Sequence, residues 1–407
     1  MNNREVGAWV TFDFANSVFP AVVVSVVFQD FYIQGVVGAE GGRGDAWWTA
    51  AVSTSALIVA LTAPILGAVA DRAGARKRLM GTYVIVCILG VLCFPLLGPG
   101  TVGLGFALFV LANVGFEGAL VFYNAYLPDI VPMERQGWVS GLGFGIGYLG
   151  SAIGLVLALA LVQSGADLSL VWIMVALFFS LFAIPSFIYL PNDTEREMTL
   201  SQAAVWGLTS FRELWAEVMR EKELRRFLLA FFFYIDGVLT AYVTATTLAR
   251  TTFGFERNEL IMMILGIQFT ALIGAFALAK PADRLGPKKV LNGVLIMWIA
   301  VALSVYFIES KVAFAMLAMT AGFGLGAAQS VSRTLMASLI PKGRESEMFG
   351  FYALCGKSSS VIGPIVFGQV ALLTGGNQRI SVMAVSVMFI IGLILLQRVN
   401  DPKAVLA

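Results

Sequence analysis

Five ionisable side chains stand inside long apolar stretches of this 407-residue chain: Asp13, Glu117, Asp236, Arg333 and Lys357. A charge at bilayer depth costs several kcal/mol unless it is paired or faces water, so each of the five is a functional candidate. At a helical rise of about 1.5 Å per residue from the estimated ends of the stretches, Asp13 and Arg333 lie roughly 10 Å deep, Lys357 roughly 13 Å, and Glu117 and Asp236 about 15 Å. A single layer thus combines three carboxylates with two cations. That mixture suits a zwitterion, or an anion bearing a hydroxyl or amine, such as an amino acid. Asn16, Asn124 and Tyr148, with Tyr123 and Gln268, add neutral hydrogen-bonding groups near the same layer. A structural alternative stands beside this one: Asp13 with Lys357, or Asp236 with Arg333, as ion pairs that hold helices together. The chain has no histidine. That removes a Ser-His-Asp triad and any His-based metal site, so proton coupling falls to a carboxylate. No metal and no cofactor is expected.

A second constellation lies at the ends of apolar stretches. GAVADRAGARK, Gly67 to Lys77, places Asp71, Arg72, Gly74, Arg76 and Lys77 in one short turn, and ALAKPADRLGPKK repeats the pattern with Asp283, Arg284, Gly286 and Lys288. Both read D-R-x-G-x-R/K-K, 212 residues apart. The glycine permits a tight turn, and the carboxylate and fixed cations can clamp one helix bundle to another in one state and release it in the next. The plainer reading is that these cations only set topology. Pro287 stiffens the second copy. Asp129, at the end of another stretch, reads as a partner of the basic loop.

The elements that carry these residues follow from composition. Hydrophobic residues make up 58% of the chain and charged residues 13%, against about a quarter charged in soluble chains; the mean hydropathy is +0.85. This excludes a soluble enzyme, a disordered chain and a secreted disulfide scaffold, and the net charge of +2 argues against a nucleic-acid binder. Cys87, Cys93 and Cys355 lie in apolar runs as small core residues. Twelve runs reach the length of a membrane-spanning helix: 6–36, 46–70, 79–98, 101–127, 138–163, 168–190, 225–251, 257–281, 289–308, 312–340, 348–373 and 378–398. With the N-terminus inside, 21 of the 27 Lys and Arg fall at cytoplasmic segments and five outside, a bias that places both termini in the cytoplasm. No cleavable signal precedes the first run.

Residues 191–224 are the only long polar stretch, dividing an N-terminal bundle, 1–190, from a C-terminal one, 225–407. Within the stretch Leu200, Ala204, Leu208, Phe211, Trp215 and Val218 recur at helical spacing, opposite Arg212, Glu213, Glu217 and Arg220. The pattern gives an amphipathic helix, either at the membrane interface or against the inner surface of the bundle. The halves also repeat at a second place: PMERQGWVSG, Pro132 to Gly141, aligns with PKGRESEMFG, Pro341 to Gly350, at an offset of 209. Two similar offsets in the same order mark a duplicated pair of six-helix bundles, the architecture of alternating-access transporters.

Two such halves with D-R-x-G-x-R-K after the second helix resemble the major facilitator superfamily. More narrowly, WVTFDFANSVF, FFFYIDGVLT, SRTLMASLIPKG and FGFYALCGKSSSVIGP resemble the autophagy-related vacuole effluxer family and its bacterial relatives. The resemblance implies an all-α membrane protein of twelve helices, with helices 1, 4, 7 and 10 lining a central cavity, and a motif Asp that meets the N-terminus of a helix in the other half. It implies a solute exporter or importer; fungal members are associated with release of amino acids from the vacuole. Drug/proton antiporters of the superfamily carry an arginine in helix 4 and a Gly-Pro pair in helix 5. Here helix 4 has Glu117 and Leu155 follows Gly154, which disfavours that activity.

GFYALCGKS resembles a phosphate loop but encloses five residues between Gly350 and Gly356 instead of four, inside an apolar run. The glycines 145, 147 and 150 lack the preceding strand a dinucleotide fold needs; with Gly141, Gly143 and Gly154 they read as close helix packing or a hinge. Without a nucleotide site, transport runs on gradients. The expectation is a monomeric secondary transporter in a bacterial inner membrane, carrying a small polar organic solute with protons or another ion. The alternatives are amphipathic cargo such as a lysolipid or peptide fragment, for which Phe231, Phe232, Phe233 and Phe351 leave room, and a non-transporting receptor.

Overall fold

The computed structural model describes residues 1–38, 40–193, 198–359 and 362–400, and every regular element among them is helical. Eleven helices are long and apolar enough to cross a membrane. They are α1 (Asn3–Val37), α2 (Arg43–Ala73), α3 (Arg76–Leu96), α4 (Val102–Ile130), α5 (Met133–Gln163), α6 (Leu168–Tyr189), α7 (Lys222–Thr251), α8 (Glu259–Leu285), α9 (Pro287–Phe307), α10 (Lys311–Leu339) and, after α11, α12 (Gln378–Gln397). Two segments form α11: α11a (Glu345–Ser359) and α11b (Ile362–Leu373), with residues 360 and 361 between them outside the described residues. It completes the twelve-helix fold that the apolar runs imply. Arg196 and Lys403, counted in the charge bias, also lie outside the described residues.

The motif turns need their glycines. Gly74 ends α2 at φ +59° and Gly286 ends α8 at φ +91°, conformations that residues with a Cβ rarely adopt. Helix α1 is regular only to Asn16; it widens at Pro20–Val24 and again at Phe31–Val37. The widened turn closes when Ser25 donates its N–H to the carbonyl of Pro20 at 3.0 Å. Such turns are uncommon and collect at functional sites.

By internal contacts the chain divides into two units. Unit 1 holds Met1–Ile130, Ile146–Leu214 and Lys342–Leu354; unit 2 holds Val131–Gly145, Trp215–Pro341 and Cys355–Ala407. Each sequence half therefore lends one short segment to the unit built mainly from the other: the start of α5 belongs to unit 2, and the start of α11 to unit 1.

In unit 1, α3 packs along α4, α2 along α4 and α6 on α1. Gly115 and Gly118 let α4 approach the Tyr83–Cys87 turn of α3 closely. Lipid is as apolar as the side chains, so small residues and close backbone packing replace the hydrophobic drive between spans. The glycines of α5 follow this rule: a Cβ at Gly150 would sit 2.3 Å from the carbonyl oxygen of Phe14, and one at Gly154 2.5 Å from Val18. They are packing positions against α1. In unit 2, α8 and α10 cross as closely, with Gly274 on the carbonyl of Phe323 and Gly326 on that of Ala271.

The polar linker forms two helices, Leu200–Thr209 and Phe211–Arg220, broken at Ser210, where the sequence pattern implies one. The first starts in a Thr199–Gln202 capping box. It docks on α2 through its small residues, Ala203 and Gly207, while Leu200, Val205 and Leu208 are exposed. The packed face is thus the opposite of the large apolar stripe.

Candidate functional site

The start of a helix leaves its first N–H groups without intrahelical acceptors, and its dipole favours negative charge there. In unit 1, Asp71 meets that need for α11a. Its Oδ1 accepts the N–H of Ser346 at 3.1 Å and its Oδ2 that of Glu347 at 2.8 Å, and Asp71 is 5% exposed. The approach is possible because Gly67 lacks a side chain: a Cβ there would lie 2.2 Å from the carbonyl oxygen of Ser346. Arg76 binds Asp71 at 3.2 Å, Glu345 at 3.0 Å, the hydroxyl of Ser346 at 2.8 Å, and Asp129. Arg72 reaches Glu347 at 3.2 Å, and Arg344 binds the same carboxylate. Lys77 turns away and donates to the carbonyl of Leu190 at 2.8 Å, at the end of α6. Four carboxylates and three guanidinium groups thus close on one helix start.

Unit 2 repeats the backbone part of this arrangement. Asp283 accepts the N–H groups of Gly137 and Trp138, both at 2.7 Å, at the start of the α-helical part of α5 (Gln136–Gln163). Gly137 and Trp138 stand 209 positions before Ser346 and Glu347, the offset of the second repeated segment. The crossing behind them repeats too. Gly350 packs on the carbonyl of Ala63, and Gly141 on that of Ala275. The side chains differ. Trp138 occupies the place of Glu347 and lies 5.0 Å under the ammonium of Lys280. Arg284 is exposed, and Lys288 donates to the carbonyls of Gln397, at 2.9 Å, and Val399. Sequence reasoning did not single out Glu345, Ser346 and Glu347. The repeated segment that contains them was the available signal.

The polar residues of the spans fall in both units. In unit 1, Asp13 is 6% and Asn16 4% exposed, one helical turn apart on α1 immediately before it leaves regular geometry. The Asn16 side-chain N–H₂ is buried with no hydrogen-bond partner among the described residues. Glu117 and Asn124 share a half-buried face of α4, and Tyr148 is half-buried on α5 beside Gly147, which packs on Asp13 and Ser17. Tyr123 stacks between Trp9 and Phe12 as a core ring.

In unit 2, Asp236 is 1% exposed. It accepts the N–H of Gly363 at 2.6 Å and the hydroxyl of Thr240 at 3.4 Å. The suggested Asp236–Arg333 pair is therefore replaced by a cap on α11b. Arg333, 2% exposed, donates to the hydroxyl of Ser140 at 3.0 Å and to its carbonyl at 2.8 Å, and lies 4.0 Å over the ring of Phe144. Lys357 is half-buried on α11a and Gln268 half-buried on α8. Phe231 and Phe351 are buried and give no support to an amphipathic binding face. No cluster of three metal-ligating side chains occurs among the described residues.

Duplicated helix bundles with an Asp-capped turn in each copy define a transporter of the major facilitator superfamily, and solved structures share the fold. The human organic anion transporter MFSD10 (TETRAN) matches with a TM-score of 0.81 over 97% of this chain and 99% of its own, at 16% identity. A variant of the E. coli fucose:proton symporter FucP matches at 0.73 over 98% of both chains, again at 16% identity. The chain belongs to the vacuole effluxer Atg22-like family, whose pattern matches residues 45–136 and 131–406. YxiO of Bacillus subtilis (strain 168), described as an uncharacterized MFS-type transporter, is 30% identical over 413 residues, covering 98% of this chain and 95% of the relative.

Proposed function

We propose that this protein carries a small polar organic solute, an amino acid or related metabolite, by alternating access, with a buried carboxylate coupling the movement to protons. The observation that carries the reading is the Asp13–Asn16 pair on α1: a buried carboxylate and a buried, unpartnered amide donor at the point where the helix becomes irregular. An unsatisfied buried donor costs about 1–3 kcal/mol, and a cargo carboxylate or carbonyl would remove that cost, while Asp13 suits an amine. Transporters commonly place cargo sites where spanning helices are interrupted. In unit 1, Glu117, Asn124 and Tyr148 are assigned to the same task.

In unit 2, Asp236 is assigned to coupling, Lys357 to cargo contact, and Arg333 to holding the start of α5 with cargo contact secondary. That the structural relatives include an organic anion transporter and a proton symporter supports a polar cargo and proton coupling. The Asp71 and Asp283 clusters, with Gly67, Arg72, Gly74, Arg76, Asp129, Arg284 and Gly286, act as gates that close and release once per cycle. Lys77 and Lys288 brace the ends of neighbouring helices. We place the motif side and both termini in the cytoplasm of a bacterial cell and take the transporter as a monomer in the bilayer.

Proteoliposomes test the reading. Radiolabelled amino acids are offered with and without a pH gradient to the natural protein and to Asn16→Leu, Asp13→Asn, Glu117→Gln and Asp236→Asn. Gradient-driven uptake should fall at least tenfold in Asn16→Leu and lose its pH dependence in Asp236→Asn. Uptake insensitive to all four substitutions would sink the assignment.

A further inference from the structure

Among the described residues the polar linker meets the first gate and the helix start beside it at two places, both inside unit 1. At its beginning, Asp193 accepts the N–H of Lys77 at 2.7 Å and of Arg78 at 3.1 Å, supplying an anionic cap to the start of α3. On the first linker helix, Trp206 presents its ring to Arg72, whose guanidinium carbon lies 3.6 Å from the ring centroid. The same guanidinium reaches Glu347 of α11a at 3.2 Å. The docking beneath it is tight. A Cβ at Gly207 would lie 3.0 Å from Val69 and 3.1 Å from Ile65, and Ala203 is fully buried against Val69, Ala73 and Ala75. The linker helix is therefore seated on the last turns of α2, the segment that carries Asp71 and Arg72.

We propose that the linker is a working part of the gate: Trp206 is a positioning residue that holds Arg72 in register with Glu347, so that undocking of the first linker helix loosens the hold of α2 on the start of α11a. An arginine side chain has several rotatable bonds, and aligning it on a carboxylate costs conformational entropy. A ring stacked on the guanidinium face removes part of that freedom beforehand and adds a cation–π attraction. Among the described residues the second copy shows no equivalent stack, and Arg284 is exposed. The device gives the connection between the sequence halves a role in setting how firmly the first gate closes.

The inference rests on the reading of the Asp71 cluster as a gate, and the test separates the two. Ser346 is fully buried in the closed cluster, so a Ser346→Cys thiol reports opening by its alkylation rate with a small maleimide. Peptide mass spectrometry at that position leaves the native cysteines in place. In this background Asp71→Asn tests the gate and Trp206→Leu tests the linker contact. Trp206→Leu should raise alkylation roughly three- to thirty-fold, the range of a cation–π contact. Trp206→Phe should raise it less, and Trp206→Leu should add nothing in an Arg72→Gln background. An equal rise in that background would mean that Trp206 acts by packing, and overturns the proposal. No rise for Trp206→Leu while Asp71→Asn accelerates also overturns it and leaves the gate standing. No rise for Asp71→Asn removes the gate reading and the linker's part with it. Trp206→Phe keeps the aromatic volume and covers the case in which the leucine variant folds poorly.

Discussion

Gly67→Ala isolates the geometry of the first gate with a single methyl group. The added Cβ would lie 2.2 Å from the carbonyl oxygen of Ser346, 2.6 Å from its carbon and 2.9 Å from the Cα of Glu347, and real Cβ atoms do not come within 3.0 Å of such neighbours. All three are backbone atoms of α11a, so no side-chain rotation relieves the clash. The helices must part by about 1 Å, a shift of the kind that costs 1–3 kcal/mol in packed interiors. The same shift stretches the Asp71 bonds to Ser346 and Glu347, now 3.1 and 2.8 Å, beyond useful length. Two bonds to a charged acceptor contribute on the order of 3 kcal/mol together, which is about a hundredfold in the closed population. Hydrogen exchange of the peptide spanning 342–354 reads this directly, because those two amides owe their protection to Asp71. Exchange there should quicken roughly a hundredfold. Gly293→Ala, where a Cβ meets nothing within 4 Å, is the control. Exchange at 342–354 that is unchanged in Gly67→Ala would refute the claim that this crossing holds the gate. The repeat supplies a mirror experiment. Gly137→Ala would bring a Cβ to 2.7 Å from Asp283 Oδ1 and 2.8 Å from the carbonyl of Ala279, and should release the peptide spanning 131–145 in the same way.

Other outcomes follow from particular contacts. Asp236→Leu leaves the buried N–H of Gly363 without an acceptor and should lower stability by about 1–3 kcal/mol, whereas Asp236→Asn keeps an acceptor and should melt nearer the natural protein while losing the effect of a pH gradient on uptake. Gly150→Val sets a branched side chain against the carbonyl of Phe14 and should cost at least about 1–3 kcal/mol, read as a lower melting temperature in detergent. Asp167 caps α6: hydrogen bonds from the Ser169 side chain and from its N–H, the latter at 2.7 Å, hold the Asp167 carboxyl below the usual range. Its contribution is therefore present above the ordinary aspartate pKa and lost as pH falls through the depressed value. An Asp167→Ala variant should melt lower than the natural protein at neutral pH, and the two should converge at acid pH.

The sequence carried the spans because each is an uninterrupted apolar run, and hydropathy needs no tertiary information. It carried the motif turns because glycine at φ > 0 and clustered charge are local features. What it could not carry was choice of partner. Arg333 reads as a buried cation in search of cargo, yet its guanidinium is taken up by Ser140 and Phe144, 193 and 189 positions away. Asp236 reads as one of a layer of carboxylates, yet it caps α11b. The linker failed differently. Its apolar spacing was visible, but hydropathy treats Ala203 and Gly207 as weak, and in a membrane protein those are the residues that let helices touch. Large apolar side chains mark burial in water-soluble folds. Beside a bilayer they also mark the outward face.

Comparison of the two gates separates what the duplication retained from what diverged. Retained are a carboxylate on two successive N–H groups of a helix start, a turn glycine at positive φ, and a crossing in which one partner lacks a Cβ. The missing Cβ changes sides: Gly67 on α2 in the first copy, Gly137 on α5 in the second, facing Ser346 and Ala279 respectively. Only the gap is therefore required, and either helix can provide it. Diverged are the ions. The first copy surrounds its Asp with Arg72, Arg76, Asp129, Glu345 and Glu347, and the second has Trp138 where Glu347 would be. In the first copy the ions are linked through shared carboxylates, so removing one of them would leave another buried and unpaired, which is the costly case. The carboxylate on a helix start is thus common to both copies, while the Arg72–Glu347 contact that Trp206 supports belongs to the ion network of the first.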